Sequence, residues 1–381
     1  MYRILITDPA LKPITNPIGS WTSLDCVIRH NQVGGGMLTA PASRALLNAI
    51  QPGNRVLVTR HGEPLSSGPI EKPGAYRWSA SDRQLAGRGL VDIGWADNLV
   101  YLSWRLTYPN PALIAALQDI DYYTADTVNA ELLMRALVNL NAGPGALLNR
   151  RIPHLILGSV ASIGTDINIT TRFQALTDVL RQIAVAGGGL GFRVRESGGQ
   201  LLFEVYECPD LTKKVVFSRA LGNLRSMTTN PEGPQATVAI VGGTGTGAGR
   251  IVVERSTAAS GTWGRIETFV NQSGVSDTTG LQQYGDTELA AKAEKTGLSA
   301  VAIDGAHARY GIDYPLGARV STQLASGLIL PDVVSSVRFK AQPDQGETVT
   351  PSVGSIDSTS DAATVRVIAD LLRRIALLER T

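Results

Sequence analysis

The sequence predicts a mainly β protein with a mixed α+β insertion in its middle. Short apolar runs recur every 8–12 residues toward both ends of the chain, the spacing of barrels and sandwiches. Forty glycines in 381 residues, about 10% against a usual ~7%, supply the many turns that short strands need. Apart from one short helix near residue 45, helix-period patterns fall in the middle, in one stretch near residue 290 and at the C-terminus. A chain of this length has room for two or three domains and a core that needs no disulfide staple.

Residues 1–105 read as the first β domain. Tyr2–Thr7 alternates, and Leu24–His30 is a second strand ending at Asn31 and the triple glycine Gly34-Gly35-Gly36, a tight-turn signal. Met37–Ala40 resumes extended chain, Pro41 opens a short helix over Ala42–Ile50, and Pro52-Gly53 stops it. Arg55–Arg60, Pro64–Ile70 and Ala75–Leu85 follow as strands. Trp21, Trp78, Trp95 and Trp104 fall in or beside this part and are expected in its core.

Residues 106–206 read as the α+β insertion. Helices are expected over Pro111–Ile120, Thr124–Leu140 and Thr171–Val185, the second with Val128, Leu132, Leu133, Ala136, Leu137 and Leu140 on one face. Gly191–Glu196 and Gln200–Glu207, joined by Ser197-Gly198-Gly199, form the clearest hairpin. Residues 207–340 return to strands around one helix, Tyr284–Thr296, as a second β domain. From Ala341 to Ser360, 13 of 20 residues are Pro, Gly, Ser, Thr or Asp, a linker composition. Residues 361–381 read as a C-terminal amphipathic helix, with Val365, Ile368, Leu371, Leu372, Ile375 and Leu378 on one face, to be buried against its own chain or a partner.

Several function classes lack their signals. A net charge of +2 is not the concentrated basic field of a dedicated nucleic-acid binder. No run approaches the roughly 20 apolar residues that cross a bilayer, and the opening residues do not read as a secretory signal. Cys26 and Cys208 form no metal or disulfide pattern and are expected as buried thiols. Gly242–Gly249 follows a strand, but Arg250-Ile251-Val252-Val253 comes next, where a phosphate cradle needs Gly-Lys-Ser/Thr or a helix. It reads as a hairpin loop. The four histidines are scattered; Asp304, His307 and Asp313 are the nearest approach to a cluster, in an expected loop. No G-x-S-x-G elbow is present. No signal demands catalysis, and the chain is read as a non-enzyme without a cofactor. Of 35 basic residues, 28 are arginine, a bias of protein contact surfaces that a GC-rich coding sequence would also produce.

The order of these features resembles a known family. Trp21, then Leu24–His30, then Asn31-Gln32-Val33-Gly34 and a strand ending at Pro41, is similar to the opening of the tail-hub proteins of long-tailed phages. Pro52–Val58 followed by Leu65-Ser66-Ser67-Gly68-Pro69-Ile70 is similar to the family's next hairpin, with its x-S-G-x-I return. Arg265–Val270, the helix around Glu288-Leu289-Ala290, and Tyr310–Val320 resemble its last barrel, although Ala318 replaces a common acidic residue there. The resemblance covers residues 20–90 and 263–340. It implies two related β-barrels per chain, and a homotrimer whose six barrels form a ring between a sixfold tail tube and threefold tip proteins. It further implies the distal tail protein or tube, tip or fibre proteins and the tape-measure protein as partners. DNA would pass through the channel, and the site would be the virion tail tip after synthesis in the host cytoplasm. Two other readings stay open: a tail protein that binds host surface carbohydrate, and a tail-associated cell-wall hydrolase.

Overall fold

The computed structural model describes residues 2–79, 88–229, 231–294, 298–305 and 308–354. Packing divides the chain into two units. The first is Met1–Pro209, Pro234–Ala293 and Ser336–Val349; the second is Asp210–Gly233, Glu294–Ser335 and Thr350–Thr381.

The first hundred residues form β1 (Tyr2–Thr7), β2 (Ser23–Arg29), β3 (Gly35–Pro41), the short helix α1 (Arg44–Ala49), β4 (Arg55–Arg60), β5 (Glu63–Arg77), β6 (Leu90–Ala96) and the single turn α2 (Val100–Ser103). The strands pair antiparallel in the order β1-β4-β5-β6-β3-β2. Period-2 alternation sets the inner face: Leu24 and Cys26 of β2, Leu38 and Ala40 of β3, and Val91, Ile93 and Trp95 of β6 are buried. Ser43 caps α1 by accepting the Leu46 N–H at 3.1 Å.

The triple glycine serves packing more than turning. A Cβ at Gly36 would stand 2.5 Å from the Trp95 ring, and Gly34 donates its N–H to Asp97 Oδ2 at 2.6 Å. Trp95, whose Nε1 donates to Ser66, is in the core, but Trp78 and Trp104 are about half exposed, so the tryptophans do not all anchor it. At Gly68 a Cβ would lie 1.9 Å from the Ala96 carbonyl oxygen. Backbone cannot yield there as a side-chain tip can, so Gly68→Ala is expected to cost about 1–3 kcal/mol in urea unfolding; an unchanged midpoint would contradict this packing.

The middle of the chain adds β7 (Tyr123–Asn129), α3 (Ala130–Asn141), β8 (Leu155–Leu157), β9 (Asp166–Thr171), α4 (Leu176–Ala186), β10 (Gly191–Ser197) and β11 (Gln200–Tyr206). These make a β7–β9 pair and a β10-β11-β8 sheet. Leu133, Leu137 and Val138 of α3 meet Leu176, Leu180 and Ile183 of α4 and Phe192 and Phe203 of the hairpin in one core. The mixed character and the hairpin match the sequence reading. This stretch nevertheless packs as part of the first unit. The expected helix from Thr124 begins six residues later, at Ala130. Asn129 is its N-cap, accepting the Glu131 and Leu132 N–H groups at 3.1 and 3.3 Å, and the residues before it pair with β9. The expected helix over Pro111–Ile120 is a loop with one 3-10 turn, Ala115–Leu117.

Beyond Tyr206 come β12 (Val216–Ser218) and β13 (Leu224–Thr229), then β14 (Val238–Gly242), β15 (Val252–Ser256), α5 (Ala259–Trp263), β16 (Glu267–Asn271) and α6 (Thr278–Ala291). The last elements are β17 (Leu298–Ala302), β18 (Arg319–Gln323), β19 (Ile329–Gln342) and β20 (Gly346–Gly354). In the first unit, β14 is the centre of a β15-β14-β16 sheet, antiparallel to β15 and parallel to β16. Residues 336–341 of β19 extend the large sheet beside β2. In the second unit, β17 lies between β13 and residues 352–354 of β20. There β18 joins β12 to residues 329–333 of β19, and Phe217 meets the buried Tyr314 ring edge-on at 5.6 Å.

The mainly β content expected is present, without the two barrels as closed ladders. No ladder closes a barrel among the described residues, and residues 207–340 are divided between the two units. Closure needs the first strand to pair with the last. The outer edge of β1 is instead occupied by its own chain: Ile14 and Ile18 donate to the Ile6 and Ile4 carbonyls. The ends of the sheet are fastened by side chains. Tyr2 and Arg60 both donate to Glu347 of β20, at 2.5 and 2.7 Å, and Arg60 lies over the Phe339 ring of β19. Within the stretch read as a linker, 341–360, Gly346–Gly354 is strand β20: Val349 and Val353 supply β-branched side chains, and Gly346, at φ 80°, follows the turn; 355–360 lie outside the described residues. The C-terminal helix over 361–381 lies outside the described residues.

Candidate assembly surface

The sites tested for chemistry are closed by their own neighbours. Gly242–Gly249 is the β14–β15 hairpin loop, as its sequence implied, and strand follows it. Arg250 folds back over it, donating to the Gly243 and Gly242 carbonyls at 2.9 Å each and to Asn271 Oδ1. The loop therefore turns two peptide oxygens toward a cation, the reverse of the N–H cradle that holds a phosphate. Gly242 has to lack a side chain, since its Cβ would meet the Arg250 guanidinium at 2.7 Å.

Asp304 accepts the Tyr310 N–H at 2.6 Å and the Tyr314 hydroxyl at 3.5 Å, and Asp313 accepts the Arg309 N–H at 2.7 Å. These carboxylates order their own loop. His307 lies outside the described residues. Among the described residues no group of three His, Cys, Asp or Glu could hold a metal ion.

One thiol does sit beside an imidazole. Cys208 Sγ is 3.9 Å from His30 Nε2, and His30 Nδ1 is 3.2 Å from the Tyr206 hydroxyl. Burial pulls His30 down to about 4 and pushes the Cys208 thiol up to about 11. A neutral imidazole beside a protonated thiol lacks the charge that activates a nucleophile. Alkylation of native Cys208 is therefore expected to be slow at pH 8 and to rise about tenfold per pH unit toward pH 11, read by mass spectrometry. Rapid labelling at pH 7 would contradict this. Cys26 is fully buried and pushed higher, to about 12; Cys208 is only half-buried, unlike its expected placement.

What the fold presents outward is surface. The β15-β14-β16 sheet has α6 on one face, where Leu281 and Leu289 cover Ala239 and Val241. On its other face Val238 is buried, while the residues of the flanking strands are exposed. The pairing register places Ile240, Val252, Glu254, Glu267 and Phe269 together on it, with Val252 55% and Phe269 58% exposed. The Arg250 guanidinium lies over Phe269, 5.5 Å from the ring centroid. Beside this apolar strip Arg265 bridges Glu254 and Glu267, each at 2.6 Å. Exposed ion pairs add little stability, so this row sets the charge pattern of the face. An exposed aromatic with arginine is the composition of contact surfaces. The sequence reasoning missed this face; its signal was the alternation of Val252, Glu254 and Ser256 beside Glu267, Phe269 and Asn271. The residues it did select, Val365, Ile368, Leu371, Leu372, Ile375 and Leu378, lie outside the described residues.

The family model of the Siphovirus ReqiPepy6 Gp37-like protein matches residues 3–355. The chain belongs to this family. The match spans both stretches on which the resemblance to phage tail-hub proteins rests, together with the middle between them. No curated protein matches the chain. Among solved structures, the fold is similar to that of the prophage MuSo2 43 kDa tail protein from Shewanella oneidensis, at TM-score 0.57 and 12% identity, covering 92% of this chain and 98% of that one. It is similar to a tail protein from Neisseria meningitidis MC58, at TM-score 0.57 and 14% identity over 93% of this chain and 97% of the other. It is also similar to the prophage tail protein gp18 from Listeria monocytogenes EGD-e, at TM-score 0.54 and 10% identity over 97% and 99%. These neighbours share the fold over nearly the whole chain.

Proposed function

We propose that this chain is a structural protein of a phage tail, a homotrimeric hub at the tail tip. It would join the sixfold tube to threefold tip proteins around a channel for the tape-measure protein and DNA. The observation that carries the reading is the family match over residues 3–355, joined to a fold shared end to end with prophage tail proteins. The chemistry of the surface supports it: the described chain invests in carboxylates and arginines that order loops and in an open sheet face. A net charge of +2 suits a passage that must not retain a polyanion. Closed threefold symmetry would fix the stoichiometry without an adaptor.

Light scattering of the purified full chain tests the reading: a mass of about 121 kDa, three times 40.4 kDa, is expected. A second reading, recognition of host surface carbohydrate, draws on Trp78, Trp104 and Trp263, each about half exposed. A 40.4 kDa monomer that binds a glycan array would favour it.

A further inference from the structure

The loop between α2 and β7 is built inside out. At its centre the Gln118 carboxamide accepts the Asn110 N–H at 2.7 Å and donates to the carbonyls of Asn110 and Leu113 at 3.0 Å and of Ile114 at 3.2 Å. Asn110 adds a bond to Asp119 at 2.8 Å. With the polar groups satisfied inside, Ile114, Leu117 and Ile120 point to solvent, 50%, 62% and 48% exposed. A loop ordered this way holds an apolar knob ready-made, at little entropic cost on binding. Its rim is acidic. Asp119 is exposed with no cationic partner among the described residues, and Asp121 has only Arg172 at 3.9 Å.

The same unit carries a matching hollow. Between α1 and the β5–β6 hairpin lies an open cleft of about 530 Å³, with Ala42, Leu47 and Tyr76 along it and Arg44 and Arg88 beside them. The Tyr76 hydroxyl donates to the Arg88 carbonyl at 3.3 Å, which fixes the ring. Neither Arg44 nor Arg88 has a carboxylate partner among the described residues, and both are exposed. Arginine and tyrosine around an apolar floor are the residue types of binding hot spots.

We propose that the apolar knob of one copy of this chain seats in the cleft of the next, with Ile114 and Leu117 against Leu47 and Tyr76, and Asp119 facing Arg44 and Arg88. The argument is complementarity of charge and polarity: an apolar tip with an acidic rim meets an apolar floor with a basic one, and among the described residues Asp119, Arg44 and Arg88 have no partner of opposite charge. Both surfaces are exposed in the same copy, so the contact runs between copies. It joins two different patches, a head-to-tail contact, which makes a ring when the rotation from one copy to the next closes after three. This inference rests on the homotrimer reading and names its contact.

The test is light scattering of full-length variants. Leu117→Asp spoils the knob and leaves the cleft; Arg44→Asp with Arg88→Asp spoils the cleft and leaves the knob. Each is expected to weaken self-association about a hundredfold and to run as a 40.4 kDa monomer where the wild type is a trimer. Mixed, they are expected to form a one-to-one dimer of about 81 kDa, twice 40.4 kDa, because one intact knob and one intact cleft remain and no ring can close. A misfolded variant could not give that dimer. Trimers from both variants, or no dimer from the mixture, would overturn the contact and leave the trimer reading standing. A wild type that is itself monomeric would end both.

Discussion

Glu196→Ala is expected to destabilise the protein by about 3–5 kcal/mol, because it strands a buried guanidinium. Arg55 of β4 is 1% exposed, and its Nη2 donates to Glu196 Oε2 of β10 at 2.9 Å and to Asn98 Oδ1 at 2.6 Å. Its Nε donates to the Tyr101 hydroxyl at 3.2 Å, and Asn98 in turn donates to Ser67 at 2.7 Å. Residues from the first hundred positions thus meet the α+β stretch through one charge pair inside one unit. For a unit of this size a loss of that order lowers the melting midpoint by roughly 10 °C. Arg55 Nη1 has no acceptor among the described residues, so the pair is not ideally satisfied. Replacing both members, Arg55→Met with Glu196→Leu, is therefore expected to recover most of the loss. A cost below about 1 kcal/mol for the single variant would mean that water or another carboxylate reaches Arg55.

Glu131→Ala is expected to be of similar size, for a different reason. Glu131 is fully buried at the start of α3, where its carboxylate accepts the Ala161 N–H at 3.1 Å, the Ile163 N–H at 3.0 Å and Arg135 Nε at 2.7 Å. Arg135 then donates to the Gly158 and Ser159 carbonyls at 2.7 and 2.5 Å. Two side chains on one helix thereby pin the irregular segment between β8 and β9. Removing the carboxylate leaves a guanidinium and two N–H groups short of partners, about 3–5 kcal/mol.

Burial pushes the Glu131 carboxyl up, but the two backbone N–H groups and Arg135 outweigh it and hold it below the usual carboxylate range. A depressed carboxyl contributes stability that is present above its unfolded value of 4.5 and is lost as pH falls through the lower folded value. Urea titrations at pH 7 and below pH 4 should therefore differ less for Glu131→Gln than for the wild type. Hydrogen exchange at Ala161 and Ile163 should accelerate in Glu131→Ala; unchanged protection there would contradict the pinning.

What could be read from the residues was local. The β10–β11 hairpin and the alternation of β2 and β4 were legible because a period of two with glycine between needs no knowledge of partners. The α3 boundary was not. Thr124, Thr127 and Val128 are β-branched and favour strand, and their pairing with β9 realises it, but Val128 also falls in the helical period of the residues after it. Gly36 and Gly68 were noted as turn and motif, but what they do is make way for the Trp95 ring and the Ala96 carbonyl, contacts distant in sequence. The barrel expectation also asks for contacts distant in sequence. Strand spacing counts strands without saying whether the last meets the first; Tyr2 and Arg60 reach Glu347 by side-chain hydrogen bonds. Gly346–Gly354 looked like linker by composition, although its β-branched residues suit a strand once β17 offers an edge. Of the candidate surface, the exposed face around Phe269 became visible only when the register of β14, β15 and β16 put its residues together.

Electron-microscopic class averages of the purified full chain test the hub reading most directly. Rings of threefold symmetry around an open centre are the expected result. Twofold particles, or single copies with no central opening, would contradict it.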